Sequence, residues 1–347
     1  MRSARFEAIC DELRASPRTW LVTGVAGFIG SNLLEALLRL DQRVVGIDNF
    51  ATGSADNLED VRASVGSSWE LFRFAESDIT SMEACAEACA GVEIVLHNAA
   101  LGSVPRSLKD PASSHRVNVD GFINMFLAAR DAGVQRFVYA SSSAVYGDHP
   151  TLPKTEPVTG APLSPYAATK VIDELYARVL GDAYGVQTIG LRYFNVFGRR
   201  QSPEGPYAAV IPRWIIALLK AEPCTIFGDG TSSRDFCYIE NVLQANLLAG
   251  TSTTPAAVNQ VYNIAVGQRT TLTSLYELIR ETLLRTLYTS VPSAPTFAAA
   301  RSGDIPHSHA DISKAKSLLG YTPTHDVREG LTEAIEWYAT RSVSALR

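Results

Sequence analysis

The first two hundred residues alternate between two patterns of apolar positions. Short, continuously apolar runs predict buried strands at residues 20–22, 44–47, 72–74, 94–100, 136–140 and 188–193. Between these runs, apolar residues recur at helical spacing and predict helices at residues 31–40, 57–65, 81–90, 114–132 and 166–184. Strands that alternate with helices indicate an α/β fold, in which a doubly wound parallel sheet carries helices on both faces.

The regular alternation ends near residue 198. Beyond it, short strands such as 261–264 separate helical patterns at 208–220, 241–250, 271–284 and 330–338. Residues 289–300 are rich in Pro, Ala and Ser and predict a loop. We therefore predict two domains. Residues 1–198 form the sheet domain, preceded by a short N-terminal helix, and residues 199–347 form a smaller mixed α/β lobe, interleaved with the first, that closes over a ligand.

A glycine-rich turn joins the first predicted strand to the first helix of the sheet. Gly24, Gly27 and Gly30 allow the backbone to turn sharply and to approach a pyrophosphate, while the helix N-terminus offers free N–H groups. The next strand ends at Asp48, where a dinucleotide-binding fold places the acid that binds the adenosine ribose. This pattern predicts a Rossmann-type NAD-binding domain. Asp48 favours NAD over NADP because a carboxylate repels a 2′-phosphate.

Composition narrows the range of partners and compartments. The net charge is −5 with no basic block, which argues against nucleic acid and acidic membrane surfaces, and no apolar run is long enough to span a bilayer. The N-terminus lacks the apolar core of a signal peptide. Five scattered cysteines fit reduced thiols, and neither they nor the six histidines form a metal pattern. We expect a cytoplasmic protein without a metal.

The strongest candidate for catalysis is a set of three residues. Tyr166 and Lys170 are four positions apart, so both project from one face of a predicted helix, and Ser142 ends a predicted strand. A tyrosine titrates near ~10, and a nearby ammonium lowers that value by stabilising the phenolate. Alone, the Tyr-x-x-x-Lys pair would be read as a surface contact. After a complete dinucleotide turn, it predicts removal of an alcohol proton while hydride leaves the same carbon.

Several stretches carry a family resemblance. The Gly-x-x-Gly-x-x-Gly spacing, the Tyr-x-x-x-Lys pair and residues 100–107, 192–201, 228–230 and 233–239 resemble extended short-chain dehydrogenase/reductases of the nucleotide-sugar epimerase type. Within that type, they are most similar to the bacterial UDP-N-acetylglucosamine 4-epimerases that supply surface-polysaccharide pathways. The resemblance covers residues 20–338.

The resemblance implies roles for individual residues. As catalytic residues it implies Ser142, Ser143, Tyr166 and Lys170. For NAD binding it implies Gly24, Gly27, Phe28, Ile29, Gly30, Asp48, Asn49, Phe50, Thr52, Gly53, Asp78, Ile79, Ala99, Ala100, Asn118, Ser141, Tyr166, Lys170, Tyr193 and Val196. For UDP-sugar binding it implies Gly102, Ser103, Ser142, Ser143, Asn195, Gln201, Ala209, Val210, Thr225, Phe227, Arg234, Arg301, Asp304 and Ser308.

The implied reaction is an oxidation followed by a reduction. Tyr166 takes the proton of the sugar 4-hydroxyl, and hydride passes to NAD. The 4-keto sugar then turns about its diphosphate and receives the hydride on its other face, so NAD stays tightly bound. The related 4,6-dehydratases carry an Asp-Glu pair where this chain has Ser143 and Ala144, which argues against elimination of water.

Substrate choice depends on two small residues. Ser308 aligns with a bulky tyrosine of epimerases restricted to UDP-glucose and UDP-galactose, and Gly102 leaves similar room, so we expect UDP-GlcNAc and UDP-GalNAc. The alternatives are that Ser308 merely caps a helix, that the substrate is the uronic acid UDP-GlcNAcA or UDP-glucose, or that the protein is a net oxidoreductase or a non-catalytic NAD(H)-binding regulator. The resemblance also implies a homodimer built on a four-helix bundle from residues 114–132 and 166–184.

Overall fold

The structure, a computed structural model, describes residues 4–205, 208–287, 294–299 and 305–345. The helices are α1 (Ala4–Ala15), α2 (Phe28–Leu38), α3 (Ala55–Val65), α4 (Met82–Cys89), α5 (Val104–Lys109), α6 (Pro111–His115), α7 (Gly121–Asp131), α8 (Pro165–Tyr184), α9 (Val210–Leu219), α10 (Ile239–Thr251), α11 (Leu272–Leu287) and α12 (Val327–Ala345). The strands are β1 (Thr19–Thr23), β2 (Arg43–Asp48), β3 (Phe72–Glu76), β4 (Ile94–His97), β5 (Arg136–Ser142), β6 (Thr188–Tyr193), β7 (Val196–Phe197), β8 (Thr225–Phe227), β9 (Ser233–Arg234), β10 (Cys237–Tyr238), β11 (Gln260–Ile264), β12 (Thr270–Thr271) and β13 (Thr296–Ala298).

A parallel sheet with strand order β11-β6-β5-β4-β1-β2-β3 forms the centre of the molecule. Thr23, at the end of β1, pairs with Ile47 of β2 on one side and with His97 of β4 on the other. The chain order of the strands reverses between β1 and β4, and open α/β sheets bind ligands at the carboxyl ends of strands at such a point. The predicted doubly wound α/β fold is confirmed.

Side chains that alternate along the strands separate two apolar cores. Trp20 and Val22 of β1 face the core that includes α2 and α10, while Leu21 faces the core that includes α4 and α7. All three are completely buried, as expected of a strand covered on both faces. The apolar runs that predicted the strands therefore reflect burial on two sides.

The second half of the chain contributes to the central sheet. Its strand β11 pairs with β6 from Gln260 opposite Ile189 to Ile264 opposite Tyr193, and α10 packs against β4, β5 and β6. Within the described residues, its other strands form two-stranded pairs, β7 with β10, β8 with β13 and β9 with β12. The loop predicted over residues 289–300 is wrong at Thr296–Ala298, which pairs with β8; residues 289–293 and 300 lie outside the described part.

The predicted helix over residues 114–132 begins earlier and is irregular. Asp110 Oδ1 accepts the backbone N–H of Ser113 at 3.0 Å and caps α6. A π-helical segment, Arg116–Asp120, then joins α6 to α7. Such π segments occur often at functional sites, and this one carries Asn118.

Candidate active site

The turn after β1 leaves no room for side chains at its glycines. Gly24 has φ +69°, and a Cβ on Gly30 would lie 2.0 Å from the carbonyl oxygen of Gly24. Gly27 precedes α2 as its N-cap and offers no side-chain cap. The first N–H groups of α2 therefore remain available to an anion, because no side chain of the cap occupies them.

A cavity of about 920 Å³ opens at the carboxyl ends of β1, β2 and β4, beside this turn. Most of the residues predicted to bind NAD line it, namely Gly24, Gly27, Phe28, Ile29, Gly30, Asp48, Asn49, Thr52, Gly53, Asp78, Ile79, Ala99 and Ala100. Gly102 and Gln201, predicted for the sugar nucleotide, line the same cavity.

Asp48 is held by the backbone at the floor of this cavity. Its Oδ2 accepts the N–H of Ala26 at 2.9 Å, and its Oδ1 accepts the N–H of Phe50 at 2.8 Å. Burial raises the pKa of Asp48, and these hydrogen bonds oppose the shift. Both carboxylate oxygens are thus fixed in position. A group that accepts hydrogen bonds from ribose hydroxyls requires such fixed oxygens.

Two arginines also line the cavity, and both are paired with Asp60 of α3. Arg200 Nε lies 2.6 Å from Asp60 Oδ2, and Arg341 of α12 forms an ion pair with Asp60 Oδ1. Arg200 is also paired with Glu35 at 2.6 Å. Both guanidinium groups are therefore engaged by carboxylates of this chain. The glycine turn after β1, which leaves no room for side chains, and the carboxylate of Asp48 fit NAD.

Tyr166 and Lys170 occupy the first turns of α8. Ser164 Oγ accepts the N–H of Ala167 at 3.1 Å and caps this helix, and Tyr166 N donates to Ser107 Oγ at 3.0 Å. Tyr166 is half-buried and Lys170 is buried. Ser142 is the last residue of β5, and its hydroxyl accepts the N–H of Ala144 at 3.1 Å. Ser143 follows Ser142 in the chain. Tyr166 is thus partly exposed and Lys170 is buried, and neither is among the residues that line the first cavity.

Charges near Lys170 keep its ammonium protonated. Burial would lower its pKa, but Asp173, Tyr166 and Glu174 outweigh burial and raise it. His97, at the end of β4, has its pKa lowered to about 3 by burial and by the Lys170 charge. Lys170 therefore carries a positive charge beside Tyr166, while His97 is neutral.

A second cavity, of about 590 Å³, adjoins the first, and Pro203 and Ile216 line both. It is lined by Asn195, Val196, Ala209, Val210, Thr225, Phe227 and Arg234. All but Val196 were predicted for the sugar nucleotide; Val196 was predicted for NAD. Arg234 Nη1 donates to the carbonyl oxygens of Ser233 at 3.0 Å and Pro306 at 3.1 Å, which fixes the guanidinium at the cavity wall.

Other predicted cofactor residues make internal contacts. Asn118 accepts the N–H of Leu101 at 2.7 Å and donates to Thr169 Oγ1 at 3.0 Å, so it ties the loop after β4 to α8. Ser141 Oγ donates to Glu174 at 2.5 Å. The hydroxyl of Tyr193 is hydrogen-bonded to Asn246, and Phe50 packs on Phe74 with ring centroids 5.5 Å apart.

The remaining predicted substrate residues are spread along the chain. Ser103 caps α5 by accepting the N–H of Arg106 at 3.2 Å. Ser308 is half-buried, and its N–H donates to the carbonyl of Ser233 at 3.0 Å, next to Arg234. Asp311 Oδ1 accepts the N–H of Ser313 at 2.7 Å, just before the helical segment for which Ser308 was the alternative cap. Arg301 and Asp304 lie outside the described residues.

Part of the first cavity is formed by residues of α12 that no sequence motif indicated. Trp337, Tyr338 and Arg341 line it, together with Asn57 and Arg200. Arg200 lies within residues 192–201, which carry the family resemblance, so a signal existed for it. The α12 residues had no local signal, because packing across the whole chain brings them to the cavity.

Metal sites and membrane-spanning helices are absent from the described residues. No group of three or more His, Cys, Asp or Glu side chains there could hold a metal ion. Among the helices of that same part, none is both long and apolar enough to span a membrane. All five cysteines are buried thiols.

Comparison with known proteins places the chain in a family. The NAD dependent epimerase/dehydratase family model matches residues 20–265. The UDP-glucose 4-epimerase of Mycolicibacterium smegmatis is 35% identical over 324 residues, which cover 93% of this chain and 99% of that protein. The UDP-glucuronate 4-epimerase of Thermodesulfobacterium geofontis is 32% identical and covers 92% of this chain and 95% of its own length.

A solved structure gives the same result. The UDP-N-acetylglucosamine 4-epimerase from Methanobrevibacter ruminantium, in complex with UDP-N-acetylmuramic acid, superposes with a TM-score of 0.85 at 36% identity. The match covers 94% of this chain and 99% of that one. The resemblance drawn from the motifs is confirmed. The chain belongs to the NAD-dependent epimerase/dehydratase family, and NAD is its cofactor.

Proposed function

We propose that the protein is a UDP-sugar 4-epimerase that interconverts UDP-GlcNAc and UDP-GalNAc. The observation that carries the proposal is the pair of joined cavities. One is lined by most of the residues predicted for NAD, and the other by Arg234 and five more of the residues that the epimerase resemblance assigns to the sugar nucleotide. Relatives with UDP-sugar 4-epimerase names match more than nine-tenths of the chain.

The first cavity would hold NAD. The N–H groups at the start of α2 would bind its pyrophosphate, and Asp48 would accept hydrogen bonds from its adenosine ribose. When bound, NAD supplies reversible hydride acceptance, so a hydroxyl-bearing carbon can be oxidised and reduced again. Phe28, Ile29, Asp78 and Ile79 complete the wall.

Residues of this chain handle the proton and orient the sugar. Tyr166 takes the proton of the 4-hydroxyl and later returns it, helped by the buried Lys170 ammonium. Ser142, with Ser143 beside it, holds the reacting oxygen. Arg234 grips the diphosphate, because its planar fork matches phosphate oxygens, while the 4-keto sugar turns to present its other face.

The substrate preference rests on free space near the sugar. A Cβ placed on Gly102 would meet no heavy atom within 4 Å, so this wall of the cavity is open. Ser308 is small and lies beside Ser233, next to Arg234. This space suits an N-acetyl group on the second carbon of the sugar. UDP-GlcNAcA is the second candidate, because either Arg106 or His307 could meet a carboxylate on the sugar.

We also propose a homodimer in which α8 meets its copy. Leu175 and Val179 lie one turn apart on this helix and are 50% and 56% exposed, with Tyr176 exposed between them. Apolar side chains at this spacing form a stripe that a second α8 would cover. Light scattering should give a dimer at micromolar concentration, and Val179→Glu should shift it to monomer.

In the proposed function, residues 1–198 carry most of the NAD site and residues 199–347 carry most of the sugar-nucleotide site.

The function is tested with purified protein and no added NAD. The protein is incubated separately with UDP-GlcNAc, UDP-glucose and UDP-GlcNAcA, and products are followed by proton NMR. UDP-GalNAc as the main product supports the proposal. Conversion of the uronic acid alone keeps the reaction and changes the substrate. Strict dependence on added NAD(P)H would indicate a net oxidoreductase, and no conversion even with NAD would indicate a non-catalytic binding protein.

A further inference from the structure

The ammonium of Lys170 lies in a buried ion pair. Its Nζ donates to Oδ2 of Asp173 at 3.0 Å, and the two side chains are 3% and 1% exposed. Both residues belong to α8, three positions apart, so the helix itself sets the contact. The other carboxylate oxygen of Asp173 is buried and has no hydrogen-bond partner among the described residues. Asp173 is therefore held in the interior by Lys170.

The remaining ionisable groups around this pair cancel or are neutral. Glu174 of α8 and Arg192 of β6 neutralise each other through two hydrogen bonds, of 2.8 and 2.7 Å. Tyr139 of β5 faces Asp173 and Glu174, and its buried phenol stays protonated because burial raises its pKa well above the usual value.

His97 of β4 is the other neighbour of Lys170, and it is uncharged near neutral pH because burial and the Lys170 charge lower its pKa to about 3. Burial raises the pKa of Asp173, whereas the Lys170 ammonium, 3.0 Å from its Oδ2, opposes that shift and favours the ionised carboxylate. The net charges left next to Tyr166 are therefore those of Lys170 and Asp173.

We propose that Asp173 is a positioning residue: its buried carboxylate anchors the Lys170 ammonium and offsets part of the positive charge that Lys170 exerts on the Tyr166 phenol. The inference rests on the proposed roles of Tyr166 and Lys170. A lysine has a flexible four-carbon stem, and a buried ammonium requires a partner. Asp173 supplies that partner, so Lys170 keeps one orientation and Tyr166 is a weaker acid than an unopposed ammonium would make it.

Asp173→Asn preserves the shape of the side chain and removes its charge. The unopposed Lys170 then stabilises the Tyr166 phenolate more strongly, so Tyr166 ionises at a lower pH, by about 1 unit. Lys170 loses its proton at a lower pH as well, because its anionic partner is gone. We expect both limbs of the kcat–pH profile to move to lower pH, with KM for the sugar nucleotide little changed.

The Tyr166 ionisation is measured directly by ultraviolet difference titration of the NAD-loaded protein. The signal of the Tyr166→Phe variant is subtracted, so that the phenolate of Tyr166 alone remains. Asp182→Asn is the matched control, since Asp182 lies on α8 with an exposed side chain and should titrate as the parent does. Asp173→Ser serves as a second neutral variant in case Asp173→Asn fails to fold, and it should shift the midpoint in the same direction.

Two results overturn the proposal in distinguishable ways. If Tyr166→Phe is inactive but both neutral Asp173 variants titrate like the parent, the assignment of Asp173 alone is wrong. If Tyr166→Phe retains full epimerase activity, Tyr166 is not the base, and the proposed role of Asp173 is then wrong as well. A lower midpoint in the Asp173 variants, with Asp182→Asn unchanged, supports the proposal.

Discussion

The carboxylate of Asp48 accepts the backbone N–H of Ala26 at 2.9 Å, which joins the end of β2 to the glycine turn that follows β1. The same side chain accepts the N–H of Phe50 at 2.8 Å. One residue therefore fixes two loops of the NAD cavity and also lines that cavity. Substitution of Asp48 should therefore weaken cofactor binding more than substitution of a surface carboxylate does.

We expect Asp48→Ser to lose NAD. A hydrogen bond to a charged group contributes about 1.5–3 kcal/mol, which corresponds to roughly a tenfold to hundredfold weaker affinity. NAD content after purification and calorimetric titration with NAD measure the loss. Asp41→Asn is the control, because Asp41 lies in an exposed turn with φ +58°, which asparagine tolerates. Equal NAD retention in both variants would contradict the role of Asp48.

Ser308→Tyr should remove activity on UDP-GlcNAc and spare UDP-glucose. The tyrosine ring would fill the space beside Ser233 that we assign to the N-acetyl group, whereas a 2-hydroxyl needs less room. Both substrates are assayed by NMR, and Ser308→Thr is the control of similar size. Equal loss on both substrates, or no loss on either, would show that Ser308 does not select the sugar.

Glu174→Gln should destabilise the fold strongly. Arg192 is buried, and Glu174 provides its carboxylate partner through bonds of 2.8 and 2.7 Å. Breaking a buried pair from one side costs about 3 kcal/mol, because a charge is left without compensation. Urea unfolding measures the change. The exposed pair of Arg328 and Glu281 is the comparison, since Glu281→Gln should cost less than about 1 kcal/mol. Similar costs for the two variants would contradict the prediction.

His97 should make the protein sensitive to acid. Its folded-state pKa is lowered to about 3, mainly by burial, while the unfolded chain takes up the proton near the ordinary value of 6.5. The unfolded state thus binds more protons between these values, so stability falls as the pH drops from 6.5 towards 3, by up to about 1.4 kcal/mol per unit.

His97→Gln should flatten this part of the stability profile, measured by urea unfolding between pH 4 and 7. His115→Gln, at a mostly exposed position, should leave the profile as it is in the parent. A parent and a His97→Gln variant with the same slope would show that another group causes the acid sensitivity.

Local patterns predicted the parts of the site that depend on local backbone. Gly24, Gly27, Gly30 and Asp48 lie where their spacing indicated, because a strand, a turn and a helix in sequence determine one another. The contribution of Trp337 could not be predicted, since α12 reaches the cavity through packing across the chain.

Side-chain contacts were the second thing that the motifs did not indicate. Phe50 and Ser141, which stay predictions for NAD binding, also make internal contacts: Phe50 packs on Phe74, and Ser141 donates to Glu174 on α8. Val196, likewise a prediction for NAD, lines the second cavity. A motif gives the position of a residue along the backbone, whereas the cavity that its side chain lines depends on neighbours from distant segments.

The place of β11 at the edge of the central sheet has a consequence for protein engineering. The strand comes from residues 260–264 but pairs with β6, residues 188–193, along its whole length. A chimera joined at residue 198 would therefore exchange one strand of the central sheet together with the rest of residues 199–347, and that strand would meet a foreign neighbour. Recombination between members of the family should preserve function best when β11 and α10 are inherited from the same parent as residues 1–198.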